Sequence, residues 1–166
     1  MQMKDFDWSQ FTQKIAIKAP MQVLYNAWAI PEEIERWFLS KANYYDQNGA
    51  DLPKDKPVQA ENTFHWYWYG YDGMEENKII TANGKNHIQF HFAGECVVDV
   101  TLETLEDHTI VYLTQSSIPL DDNSKKDIRL GCASGWSFFL LNLKSFYEGN
   151  FDLRNKDPKI KGVINS

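Results

Sequence analysis

The chain has 166 residues, of which 43% are hydrophobic and 24% charged, as in ordinary globular proteins. This length predicts a single domain spanning residues 1–166. The formal net charge is −6, and no basic cluster offsets it. That balance argues against a nucleic acid or an anionic membrane surface as partner, because binding to phosphates needs a cationic face. No apolar run is long enough to cross a bilayer, so we expect no membrane insertion.

The two cysteines, Cys96 and Cys132, lie far apart in the sequence and fit no metal-ligand spacing. Free thiols are typical of a reducing compartment. The first residues contain no apolar run of the kind found in secretory signals. We therefore expect a cytoplasmic protein with no metal and no other cofactor.

The first elements follow clear periodicities. FTQKIAIK alternates apolar and polar side chains from residue 11, which predicts a half-buried strand. The apolar residues of MQVLYNAW recur at helical spacing, and Pro31 then begins a second short helix whose apolar stripe contains Trp37 and Phe38. Residues 46–60 contain Gly, two Pro and mixed charges, so they predict a long exposed loop.

Four or five strands are expected after this loop. They include the aromatic run FHWYWY at residues 64–69, a segment near 76–82, and the segments HIQFHFA, ECVVDVTLETL and HTIVYLTQSSI. The last predicted element is a helix from about Ser124 to Glu148, with a capping box of Ser124 and Asp127 and a stop at Gly149.

Two glycines lie inside this predicted helix. Gly131 and Gly135 each reduce helix propensity by about 1 kcal/mol relative to Ala. Some gain should offset that cost. The two candidates are a close approach of the helix to another surface, or open space beneath it.

Three segments resemble one known family. They are VLYNAWAIPEEIERWF after the first strand, FHWYWYG, and GWSFFLLNLKSFYEGNFDLR. Over residues 11–154 they resemble the START-like superfamily, and within it the family related to the C-terminal domain of the activator of the heat-shock-protein-ninety ATPase. The resemblance implies an α+β helix-grip fold, with a curved antiparallel β-sheet wrapped around a long C-terminal α-helix and a cavity between them. Residues 1–9 and 155–166 are then terminal extensions.

Strand alternation divides the aromatic run into two faces. Phe64, Trp66 and Trp68 share one face, and we expect this face to point towards the helix. The inward rings then either fill the core or line a pocket for a flat apolar molecule, with polar groups such as Gln115, Thr109 or Asn142 among them. The candidate ligand-binding residues are Phe64, Trp66, Trp68, Phe90, Phe92, Val111, Leu113, Gln115, Trp136 and Phe139.

The opposite face of the run carries His65, Tyr67 and Tyr69, and His91 of a later strand is expected beside them. These side chains form either an interface with a protein or a second subunit, or a cross-strand layer that covers the sheet. We favour a homodimer.

The sequence contains no nucleophile elbow, phosphate-binding Gly loop or HExxH motif. Asp99 and Glu103 fall on the outward face of their strand, which makes a general-base role improbable. Asp152 and Arg154 are expected to tether the tail, either by a surface ion pair or by a contact with a helix end. An exposed pair of this kind stabilises a fold by less than about 1 kcal/mol.

These observations predict a non-enzymatic module that binds a small hydrophobic or aromatic molecule between sheet and helix. The superfamily also includes carriers of lipids and sterols, hormone-binding proteins, aromatic cyclases and co-chaperones, and fold does not select among them. The alternatives are therefore a co-chaperone that contacts a chaperone, and a cyclase-like enzyme acting in the cavity.

Overall fold

The structure is a computed structural model and describes residues 5–166. Residues 1–4, the start of the predicted N-terminal extension, lie outside the described residues. Seven antiparallel strands form one sheet in the order β1-β7-β6-β5-β4-β3-β2. The strands are β1 (Phe11–Ile17), β2 (Lys41–Tyr45), β3 (Thr63–Tyr67), β4 (Met74–Ala82), β5 (His87–His91), β6 (Val97–Leu105) and β7 (His108–Ser116).

The helices lie on the inner face of this sheet. Two short helices, α1 (Met21–Ala29) and α2 (Pro31–Trp37), follow β1. Pro31 occupies the first turn of α2, where its missing N–H breaks no hydrogen bond. The C-terminal helical region has three consecutive parts: α3 (Asp122–Ser124), a π-helical turn (Lys125–Leu130) and α4 (Gly131–Gly149). Its apolar side packs against the core, so the predicted helix-grip fold is confirmed.

The sequence predicted four or five strands after the loop, and the structure has five. The strand β2, which precedes the loop, was not predicted. Its sequence, KANYY, places only Ala42 and Tyr44 in the core, which is too short an alternation to identify. The strand exists because β3 pairs with it, with Ala42 opposite Trp66. It forms the edge of the sheet.

The C-terminal helical region, Asp122 to Gly149, has nearly the predicted span, but both predicted capping residues are wrong. The N-cap is Asp121, whose carboxylate accepts hydrogen bonds from the Ser124 N–H (3.0 Å) and the Ser124 hydroxyl (2.7 Å). At the other end Gly149 is still helical, and Asn150 adopts the left-handed conformation with φ of 52°. Asn is among the few side chains other than Gly that tolerate this conformation at a helix end.

Aromatic rings form much of the core between sheet and helices. Phe64 stacks on Trp66 with ring centroids 4.0 Å apart, and Trp66 meets Phe90 edge-on at 5.1 Å. On the helix side, Trp28 packs edge-on against Trp37 at 4.7 Å. The inward orientation predicted for the first half of the aromatic run is therefore confirmed, and it serves the core.

Candidate functional site

A cleft of about 470 Å³ opens between the sheet and the C-terminal helical region. Four of the predicted site residues line it: Trp68, Phe92, Trp136 and Phe139. The other lining residues are Phe38, Tyr71, Met74, Glu75, Ala93, Asp127, Gly131, Cys132, Gly135 and Ser166. The cleft has the size and the mainly apolar lining of a small-molecule site.

The structure places the remaining six predicted residues in the core, away from the cleft. Each has 1% or less of its surface exposed: Phe64, Trp66, Phe90, Val111, Leu113 and Gln115. The two halves of the aromatic run thus have different structural roles. The first half fills the space under the helices, and Trp68, which follows the end of β3, forms a wall of the cleft.

The cleft begins where β4 separates from β5. The pairing of these strands shifts register between Ile79 and Thr81, and residues 74–78 pair only with β3. Side chains cross the resulting gap: Glu75 Oε1 accepts a hydrogen bond from the Ala93 N–H (2.9 Å), and Asn77 Nδ2 donates to the Gly94 carbonyl (2.8 Å). A bulge of this kind commonly redirects side chains next to a functional site.

On the helix side, the cleft lies against the π-helical turn and the first turns of α4. The Gly131 N–H donates to the Lys126 carbonyl five residues earlier, which widens the helix at this point. Among residues 5–166, a Cβ atom at Gly135 would meet no atom within 4 Å, and one at Gly131 would meet only the Lys126 carbonyl oxygen at 3.7 Å. Open space, rather than close approach, therefore accounts for both glycines.

Glu75 is the main site residue absent from the sequence prediction. It lies opposite Trp66 in the β3–β4 register and shares its inward face. Asn77 and Ile79 lie on the same face of β4 as Glu75, because alternate residues of a strand share a face. Alternation traced back from the buried Ile79 would therefore have predicted that Glu75 points inward. The strand was predicted near residues 76–82, so the prediction did not include Glu75.

Of the predicted polar candidates, Thr109 and Asn142 serve the fold. Thr109 donates its hydroxyl to the Ala19 carbonyl (2.8 Å), and Asn142 donates to the Trp37 carbonyl (2.6 Å). Gln115 is fully buried behind the cleft wall, where its Oε1 accepts a hydrogen bond from Trp136 Nε1 (2.9 Å). Its Nε2 has no hydrogen-bond partner in residues 5–166, which is unusual for a buried amide.

Both cysteines are free, as predicted, and Cys132 lines the cleft. Burial raises the pKa of the Cys132 thiol to about 11, and the negative charge of Glu75 makes a smaller contribution in the same direction. The nearby Gln115 side chain partly opposes this shift. The thiol is therefore neutral at physiological pH and is a weak nucleophile.

Asp152 and Arg154 form an ion pair that contacts the end of α2, so the helix-end alternative is confirmed and the surface alternative is wrong. The Arg154 side chain is 2% exposed, and Nη2 lies 2.8 Å from Asp152 Oδ2. Arg154 also donates to the carbonyls of Leu39 (2.9 Å) and Glu35 (3.0 Å), and Asn142 Nδ2 donates to Asp152 Oδ1 (3.1 Å). We call Asn142, Asp152 and Arg154 the tail clasp, because they bind the chain after α4 to the end of α2.

The tail clasp favours the ionised form of its acid. Burial alone would raise the pKa of Asp152, but hydrogen bonds from Arg154 and Lys156 hold that pKa well below its usual value. Every charged group in the clasp has a partner, so its role is structural.

The outward face of the aromatic run makes cross-strand contacts within the chain. Tyr45 packs edge-on against His65 at 5.0 Å, and Lys41 Nζ lies 5.8 Å from the Tyr67 ring centroid. On the same side of the sheet, His87 Nε2 lies 2.8 Å from Asp99 Oδ1. No group of three or more His, Cys, Asp or Glu side chains in residues 5–166 could hold a metal ion.

Two further features lie outside the cleft. A larger groove, of about 920 Å³, lies beside the β5–β6 turn and is lined by small and polar residues such as Ser117, Lys78 and Glu95. The 46–60 loop packs on the short helices instead of over the cleft, since the Val58 N–H donates to the Ala29 carbonyl (2.8 Å) and the Glu32 N–H to the Lys54 carbonyl (3.0 Å).

Solved structures show where this fold occurs. The protein SSP2350 from Staphylococcus saprophyticus has a TM-score of 0.69 at 20% identity, over 87% of this chain and 96% of that one. The Aha1 dimer from Colwellia psychrerythraea has a TM-score of 0.67 at 20% identity, over 84% and 96%. DynU16, a protein of the dynemicin biosynthetic locus, has a TM-score of 0.69 at 16% identity, over 89% of this chain and 50% of that one.

Sequence comparison gives the family. No functionally curated protein has significant similarity to this chain. No helix among residues 5–166 has both the length and the apolar character needed to cross a membrane. The family model described as "Activator of Hsp90 ATPase homolog 1-like protein" matches residues 18–148. This match covers most of the chain, as the resemblance of the three sequence segments predicted, and the protein therefore belongs to the AHSA1 family.

Proposed function

We propose that this protein is a non-enzymatic binding module that holds a small apolar or aromatic molecule in the cleft between its sheet and its C-terminal helix. The single observation that carries the proposal is the cleft itself. A core built from this many rings could have filled the space, yet about 470 Å³ stays open between Trp68, Phe92, Trp136 and Phe139. The ligand is held by ring surface, with a few polar groups at the margin.

The helix supports this proposal through its irregularities. Gly135 lowers helix propensity and gains no packing, because no atom lies within 4 Å of the position of its Cβ. The π-helical turn adds a second local cost beside the same cleft. Both features keep space open, and a bound molecule would offset their cost.

The proposed carrier or sensor acts as one domain in the cytoplasm, where Cys96 and Cys132 stay reduced. Homodimerisation through the outward face of the sheet is part of the proposal, because a relative of the same fold was solved as a dimer. That face offers the half-buried rings of Tyr67 and His65.

A co-chaperone role is the second candidate, and the family description favours it. It differs from the first in where the partner binds. A chaperone-binding surface would use exposed side chains of the sheet or helix. A substitution that blocks the cleft would then leave chaperone binding unchanged.

Native mass spectrometry of the protein from its own host, with a matched pair of glycine variants, tests the proposal. Gly135→Leu places a side chain in the open space of the cleft, whereas Gly149→Leu adds the same side chain at the exposed end of α4. We expect a stoichiometric small molecule on the wild type and on Gly149→Leu, and none on Gly135→Leu. A ligand-free wild type, with no shift in melting temperature across a library of lipids and aromatic compounds, would contradict the proposal.

A further inference from the structure

The ionisable side chains of the cleft have one sign. Glu75 on β4 and Asp127 on the π-helical turn both line it, and no Lys, Arg or His of residues 5–166 does. The two acids come from opposite walls, the sheet and the helix. A ligand in the cleft therefore meets apolar rings and a negative potential together.

Glu75 is held in place with part of its hydrogen-bonding capacity unused. Its Oε1 accepts two hydrogen bonds, from the Ala93 N–H (2.9 Å) and from Asn77 Nδ2 (2.9 Å). Its Oε2 makes no hydrogen bond within residues 5–166, although a carboxylate can accept about four. The side chain is thus oriented by the gap between β4 and β5, and one oxygen remains available to a ligand.

Two of the cations on the π-helical turn have partners outside the cleft. On the π-helical turn, the Arg129 guanidinium lies 4.7 Å from the Phe6 ring centroid and donates to the Asp7 carbonyl. Lys125 on the same turn lies 5.5 Å from the Trp8 ring centroid. Neither Glu75 nor Asp127 takes part in an ion pair among the described residues, so both carboxylates stay without a cationic partner in residues 5–166.

The walls beside the acids also suit a cation. Trp68 and Tyr71 meet at a centroid distance of 6.2 Å and an interplanar angle of 70°, and Phe92 lies 6.3 Å from Trp68. The faces of aromatic rings carry negative electrostatic potential and attract ammonium groups. Met74 completes this end of the cleft with a polarisable thioether.

We infer that the ligand carries a cationic group, such as a protonated amine, on its apolar or aromatic body, and that Glu75 binds this group. The inference rests on the proposed function and specifies its ligand class. The apolar body lies between Trp136, Phe139 and Phe92, and the cation lies at the β4 side, near Glu75 and the face of Trp68. The site discriminates against carboxylates, because no cation in the cleft would pair with them.

Three probes of one shape test the inference: 2-naphthylmethylammonium, 2-naphthylmethanol and 2-naphthoate. Their affinities are measured by isothermal titration for the wild type and two variants that change net charge equally. Glu75→Gln alters the inward face of β4, and Glu76→Gln alters the next residue, whose side chain is 70% exposed and lies 3.8 Å from His65 on the opposite face.

We expect the wild type and Glu76→Gln to bind the ammonium probe at least about tenfold more tightly than the alcohol, and the carboxylate least tightly. Glu75→Gln should lose this preference and keep its affinity for the alcohol. Equal binding of ammonium and alcohol by the wild type, or an unchanged preference in Glu75→Gln, would overturn the inference and leave the proposed function standing. Binding of none of the three probes would overturn both.

Discussion

The tail clasp and the cleft both use acidic side chains beside the C-terminal helix, and they differ in how those acids are satisfied. Asp152 accepts from Arg154, Lys156 and Asn142, and Arg154 in turn also binds the carbonyls of Glu35 and Leu39. In the cleft, Glu75 uses one oxygen, and Asp127 forms no ion pair with any of the residues that the structure describes. A fully satisfied polar group contributes to the fold, whereas a partly satisfied one beside open space is available to a ligand.

The largest expected effect breaks the tail clasp. Arg154→Ala should lower the free energy of unfolding by about 3–5 kcal/mol, because it leaves Asp152 and two backbone carbonyls without their partner. Urea denaturation measures the loss. Lys156 is the other cation bound to Asp152, and its side chain is 51% exposed. Lys156→Ala should therefore lower the free energy of unfolding by less than about 1 kcal/mol. Equal losses in the two variants would contradict the buried clasp.

Within the aromatic run, substitutions should separate core from cleft wall. Trp66→Ala should lower the free energy of unfolding by about 3–5 kcal/mol, because Trp66 is 1% exposed among packed rings. Trp68→Ala, at the half-buried wall, should lose about 1–2 kcal/mol. Chemical denaturation monitored by circular dichroism distinguishes them. Similar losses would mean that Trp68 is core and that the cleft is closed in solution.

The pH dependence of stability sharpens the description of the clasp. The pKa of Asp152 lies below its unfolded value of about 3.9. Its contribution is therefore complete above about pH 4 and is lost as the pH falls through the folded pKa. We expect the free energy of unfolding of the wild type to decrease more steeply below about pH 4 than that of Asp152→Asn. Parallel curves for the two proteins would contradict this assignment.

The smallest expected effect concerns the open space beneath α4. Gly135→Ala should raise the free energy of unfolding by up to about 1 kcal/mol, because Ala favours the helix and its Cβ meets no neighbour. Thermal denaturation measures the gain. A destabilised variant would show that another surface occupies this space.

Much of the fold could be predicted from the sequence because its signals are local. Alternation predicted the inward faces of β3 and β5, and helical spacing with Pro31 predicted α1 and α2. The π-helical turn and the Asn150 helix end could not be predicted from such patterns, since each depends on how the helix meets the rest of the chain.

The site was only partly predictable for the same reason. Trp68 was predicted as a large inward ring and Trp136 as a candidate ligand-binding residue on the helix. Strand alternation does not distinguish a ring that fills the core from one that borders a cleft. Alternation back from Ile79 gives the inward orientation of Glu75. That Glu75 borders a cleft instead of the core depends on the register shift at which β4 separates from β5, and no local pattern of residues 74–78 shows that shift. The burial of Arg154 could not be predicted, because its partners, the carbonyls of Glu35 and Leu39, lie more than a hundred residues away in the sequence.

The cleft is tested most directly by the indole N–H signals of the six tryptophans in a two-dimensional ¹H–¹⁵N NMR titration with 2-naphthylmethanol, the uncharged probe. We predict that the largest shifts occur at Trp68 and Trp136 and at the backbone amides of Gly131 and Gly135, with smaller shifts at the core residue Trp66. Shifts confined to the outward face of the sheet, or no shifts at saturating probe, would contradict a binding site between sheet and helix.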